Sequence, residues 1–167
     1  MIAACDLILR FRDSKCSPVP FEKYSKFVWE MSDKYFYKRL GNPLGVPVYK
    51  ILRALNTEIT QHRFRFISRT FLNRQKLEEL IKNALSLGVP IIIRIGANGK
   101  RLPYKISFPA SGNTVRENKM SWHYITVTGI ENDVLTFYSW GGKGEMLLSD
   151  LCRFLGFTGG VIAPNNV

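Results

Sequence analysis

Apolar positions recur at helical spacing through roughly the first half of the chain and at strand spacing through the second. In residues 2–11, IAACDLILRF, the stripe Ile2, Cys5, Leu9 with Ile8 beside it predicts a helix. The segment DSKCSPVP breaks it. Residues 20–40, PFEKYSKFVWEMSDKYFYKRL, predict a second helix, opened by Pro20, ended by Gly41, and faced by Phe21, Tyr24, Phe27, Val28 and Met31. Val48, Ile51, Leu52 and Leu55 mark a third within 45–59. The alternation in 63–71, RFRFISRTF, predicts a strand. Asn73 then caps an amphipathic helix, RQKLEELIKNALSL, that Gly88 stops.

From residue 89 the period shortens. VPIIIRIG is apolar without interruption, which predicts a central strand buried on both faces. RLPYKISFP reads as a weaker strand and ASGNTVRENK as a polar loop. WHYITVTGI and VLTFYSW predict a hairpin across Glu131, Asn132 and Asp133. EMLLSDLCRFLG begins as a strand and becomes a short helix capped by Ser149, and GGVIAP is a last strand. Helices first and strands later predict one segregated α+β domain over 1–167, with a helical half near 1–88 and a sheet half near 89–167.

Composition narrows the class. A chain of 167 residues, 46% hydrophobic and 22% charged, is long enough for a full core and unlike a disordered chain. No apolar run approaches the roughly 20 residues that span a bilayer. The start, MIAACDLILRFRD, is too short and too soon charged for a secretory signal, so the expected location is cytoplasmic. Three cysteines, Cys5, Cys16 and Cys152, are odd in number and lack CxxC spacing, so neither a disulfide framework nor a zinc site is expected. GANGK, 96–100, lacks the spacing of a phosphate loop. No cofactor or metal is therefore expected.

Charge adds a possible partner. The net charge is +11, and residues 1–75 hold 14 Lys/Arg against 6 Asp/Glu. A basic front half can attract nucleic acid or an acidic partner, and HRFRFISRTF interleaves basic and aromatic residues as single-strand binders do. The same alternation fits an ordinary half-buried strand, and the positive residues are spread over several segments.

The candidate chemistry lies in SWHYITVTGI, 121–130, where His123 opens a run rich in β-branched residues. A cysteine at a helix N-terminus has its thiolate favoured by the helix dipole and free N–H groups. A histidine at the head of a sheet strand can face such a thiol, and a polar group on the next strand can hold its other ring nitrogen. Ser139 is that neighbour, with Trp122 and Trp140 flanking the pair and able to shield it or line a substrate site. The plainer reading makes His123 a satisfied structural residue and both tryptophans packing residues. Cys16, before Ser-Pro, reads as a loop bystander, Cys152 as core, and His62 as a surface residue.

The succession VPIIIRIG, SWHYITVTGI, an acidic turn and VLTFYSWGGKGEMLLSDL resembles the C-terminal half of papain-like cysteine peptidases. It is most similar to the bacteriocin-processing, double-glycine-leader branch and its bacterial relatives. MIAACDLILRF is similar to that family's first helix, which begins with Cys-Gly. The resemblance covers most of the chain in order of elements, and is strongest over 89–96 and 121–148. It implies a papain-like fold with N-terminal helices packed on a C-terminal antiparallel sheet, His123 as general base, and a peptide or protein as substrate. It also implies that the nucleophile's position falls just upstream of Met1, so that the chain begins inside the Cys-Gly motif. Cys5, one turn further along the helix, is then the substitute nucleophile, and its place on the apolar stripe predicts burial. Ser139 stands where the family has an acidic or amide partner for the histidine. A non-catalytic peptide- or protein-binding descendant of the same fold is the alternative, and a basic nucleic-acid-binding module a second.

Overall fold

The computed structural model describes residues 2–12, 21–36, 46–96, 102–108, 114–120, 123–139, 142–156 and 158–167. Five α-helices are described: α1 (Ile2–Arg12), α2 (Phe21–Met31), α3 (Val48–Glu58), α4 (Arg74–Ser86) and α5 (Leu148–Phe154). The described strands are β1 (Phe64–Ser68), β2 (Ile91–Ile95), β3 (Leu102–Phe108), β4 (Thr114–Met120), β5 (His123–Glu131), β6 (Val134–Ser139), β7 (Gly142–Leu147) and β8 (Gly160–Pro164). They form one sheet in the order β1-β8-β2-β5-β6-β7-β3-β4, antiparallel at every pairing. The class is α+β, as the succession of periods predicts.

Strand alternation divides the core into two. Ile91, Ile93 and Ile95 of β2 join Ile125 and Val127 of β5, Leu135 and Phe137 of β6, and Leu77, Leu80, Ile81 and Ala84 of α4, with Leu148 and Leu151 of α5. Ile92 of β2 and Ile162 of β8 face the other way, into Ala4, Cys5, Leu7 and Ile8 of α1 and Ile51 and Leu55 of α3. So β2 is buried on both faces, as its unbroken apolar run predicts. Each isoleucine, leucine, valine or phenylalanine buried there contributes about 1.5–3 kcal/mol relative to exposure. The helices are not gathered on one side. α1 and α3 cover one face, α4 and α5 the other, and β1, drawn from the front half, pairs into the same sheet.

Local chemistry sets several boundaries. The Asn73 side chain accepts from the Lys76 N–H at 2.8 Å and so caps α4, and Gly88 leaves that helix at φ +71°. Asn132 and Asp133 hold φ of +48° and +67° between the paired residues Glu131 and Val134, the backbone of a tight two-residue hairpin. Arg74 Nη2 lies 3.0 Å from the Asp133 carboxylate and ties α4 to that turn.

Four elements differ from expectation. The polar segment 110–119 is not a loop throughout, since Thr114–Met120 forms edge strand β4 against β3. The second helix ends at Met31 and passes into a wider turn over Ser32–Phe36, while 37–45 lie outside the described residues. The strand at 63–71 ends at Ser68 and tightens into a single turn over Arg69–Phe71. Ser149 is not the cap of α5: the residue before the helix is Leu147, which makes no side-chain capping bond. The glycine-rich stretch before α5 is strand β7 because its glycines admit large neighbours. A Cβ on Gly144 would stand 2.2 Å from Phe137 Cζ. No helix among the described residues is long and apolar enough to cross a membrane.

Candidate functional site

His123 is the first residue of β5, paired with Ile95 at the end of β2. The β5–β6 register sets Thr126 opposite Tyr138, which brings Ile125 opposite Ser139. His123 and Ser139 are therefore diagonal neighbours, and the sheet brings them together. His123 Nε2 lies 2.5 Å from Ser139 Oγ. Ser139 is only 4% exposed and His123 is partly buried. Burial, and after it the positive charge of the chain's amino terminus, pulls the imidazole down to about 4, so the ring is neutral at pH 7. A hydroxyl both donates and accepts, so Ser139 can hold either tautomer. A carboxylate would instead hold the proton on the facing nitrogen and favour the imidazolium.

The first turn of α1 is fastened to the same strand. Thr126, fully buried, donates its hydroxyl to the Ala3 carbonyl at 3.1 Å. One strand thus carries the histidine, at a position of the same parity as Ile125 and Val127, and, three residues on and on the opposite face, the anchor for the start of the helix. Threonine suits that role because its methyl packs while its hydroxyl finds an acceptor. The anchor was hidden in the sequence, where Thr126 looks like one more β-branched residue of the run.

Cys5 sits on α1 among Leu7, Ile8, Ile51 and Leu55, fully buried. Burial pushes its thiol up to about 11. No hydrogen bond joins Cys5 or Cys152 to His123 among the described residues. Cys152 packs partly buried beside α4 and is likewise raised by burial. The apolar stripe correctly predicts where Cys5 goes. That burial removes the thiolate a nucleophile needs. Trp122, Trp140 and Cys16 lie outside the described residues.

Beside His123, Tyr124 and Arg94 pair across β5 and β2, with the guanidinium carbon 6.0 Å from the ring centroid. The Tyr124 hydroxyl donates to the Val46 carbonyl at 3.0 Å, and burial raises its pKa. An arginine inside IIIRI was the available signal for a polar feature at this end of the sheet.

The basic-aromatic segment resolves by face. Phe64 is buried and Phe66 partly buried against the α1 and α3 core, while Arg63 and Arg65 are exposed. Those two rings are committed to packing, while Phe71 at the end of the segment is exposed. His62 lies between the Phe11 and Phe64 rings, with centroids at 5.4 and 6.4 Å. No group of three or more His, Cys, Asp or Glu able to hold a metal occurs among the described residues. No family model, no curated protein and no solved structure matches the chain.

Proposed function

We propose that the chain is a papain-like, cysteine-peptidase-type domain that engages peptide backbones at the head of β5. The observation that carries this reading is the His123–Ser139 contact at 2.5 Å, on the strand that also anchors the first turn of α1. A ring nitrogen held by a neighbouring strand, with the charge of the chain's amino terminus near enough to act on it, is an arrangement in which a thiol at the start of α1 would become a nucleophile. The imidazole would take the thiol proton, the thiolate would attack the peptide carbonyl, and the imidazolium would return the proton to the leaving amine.

A second reading is favoured by Cys5. A fully buried thiol raised to about 11 supplies no nucleophile at neutral pH. On that reading the domain keeps the frame and binds a peptide or protein without cleaving it. The two readings part in one experiment: the pH–rate profile of alkylation at each of Cys5, Cys16 and Cys152, with His123→Ala as control. A thiol that reacts rapidly well below pH 7, and loses that reactivity in the control, establishes the peptidase. Slow reaction at every thiol, rising only with alkaline pH, leaves the binding domain.

A further inference from the structure

β1 is an edge of the described sheet, with β8 on one side and no strand on the other among the described residues. The β1–β8 register sets Arg63 opposite Asn165 and Arg69 opposite Gly159. Both pairs are hydrogen-bonded: Asn165 N–H donates to Arg63 O at 2.7 Å and Arg69 N–H to Gly159 O at 3.0 Å. Antiparallel alternation then turns Phe64, Phe66 and Ser68 outward, away from β8. At Phe64 the outward groups are already taken. Its N–H donates to Asn56 Oδ1 at 2.7 Å and its carbonyl accepts from Asn56 Nδ2 at 3.1 Å. The Asn56 amide thus stands where the backbone of a neighbouring strand would. Further along, the N–H and C=O of Phe66 and the N–H of Ser68 meet no such partner among the described residues.

The surroundings specify what fits there. Arg63 and Arg65 are exposed at the start of this edge, and the only hydrogen bonds described for their guanidinium groups go to the carbonyls of Asn56 and Val167. Phe71, 71% exposed, stands in the turn where β1 ends. A second copy of the chain is disfavoured, because it would bring together two molecules of net charge +11. A nucleic acid is disfavoured because the free groups are a strand's donor and acceptor at strand spacing, and the Phe64 and Phe66 rings face inward. We infer that the outer edge of β1 accepts an extended acidic peptide, which adds a ninth strand to those described, with carboxylates toward Arg63 and Arg65 and an apolar side chain against Phe71. This surface is separate from the His123 site and needs no thiol.

The test uses the full chain and a fluorescent hexapeptide of alternating glutamate and valine. Anisotropy should report saturable binding that weakens by about tenfold or more in the double variant Arg63→Glu, Arg65→Glu. The same peptide N-methylated at alternate residues should lose binding to a comparable extent, since methylation removes the donors that pair with the edge. Hydrogen exchange should slow at Phe66 and Ser68 on saturation, and this readout does not depend on any variant folding. Equal binding of the N-methylated peptide, no added protection at those two amides, or tighter binding of a single-stranded oligonucleotide at the same arginines would overturn the inference.

Discussion

His123 is neutral in the folded chain because burial penalises its charged form, and that has a consequence for acid stability. The unfolded chain takes up a proton at this ring near pH 6.5, whereas the folded chain does so near 4. As pH falls between those values the unfolded state binds the proton first, so stability drops. The single group contributes on the order of 3 kcal/mol that is present above pH 6.5 and gone below 4. Urea unfolding at steps from pH 7 to 4 should show that loss, and His123→Gln should remove most of it. The serine beside the ring is a second handle. Ser139→Asp places a carboxylate against the imidazole and should raise its pKa by at least about one unit, read from the ring proton shifts by NMR. Both measurements concern the ring and not the reaction, so they hold whether the domain cleaves or only binds.

The elements rest on a few local decisions that single substitutions can test. Asn73→Ala removes the cap of α4 and should cost about 1 kcal/mol. Gly144→Ala drives a methyl group into the buried Phe137 ring and should cost about 1–3 kcal/mol, with the loss relieved by pairing it with Phe137→Leu. Chemical denaturation of the three variants decides both points. Much of this level was legible beforehand. The cap at Asn73, the stop at Gly88, the doubly buried β2 and the β5–β6 hairpin follow from residue type and period. β4 was not legible, because an edge strand is held by its backbone pairing to one neighbour and needs no apolar rhythm. The second half of β7 was legible as a strand in EML, but its first half was obscured for the opposite reason: its glycines look like a loop until Phe137 is known to lie over Gly144. At the site, the His123–Ser139 pairing could be read from adjacent strands. The Thr126–Ala3 tie could not, since it joins residues 123 positions apart with no shared pattern.

At the scale of the molecule, helices on both faces of one sheet explain why the division into a helical half and a sheet half describes the chain but not the solid. Residues before 88 supply α4 to one face, α1 and α3 to the other, and β1 to an edge. The most consequential feature is the place of β8. It lies between β1 and β2, joining Arg65 to Ala163 on one side and Ile92 to Ile162 on the other. On a ribosome, therefore, β1 waits for nearly a hundred later residues before its partner emerges, and β2 waits with one flank bare. The described sheet closes only when Gly160–Pro164 clear the exit tunnel. Until then the growing polypeptide exposes β1 and one side of its most apolar strand, a state prone to aggregation and suited to capture by a chaperone. Stalled nascent chains ending before Gly160 should be cut readily by a protease, while those extended far enough to free Pro164 should abruptly resist it.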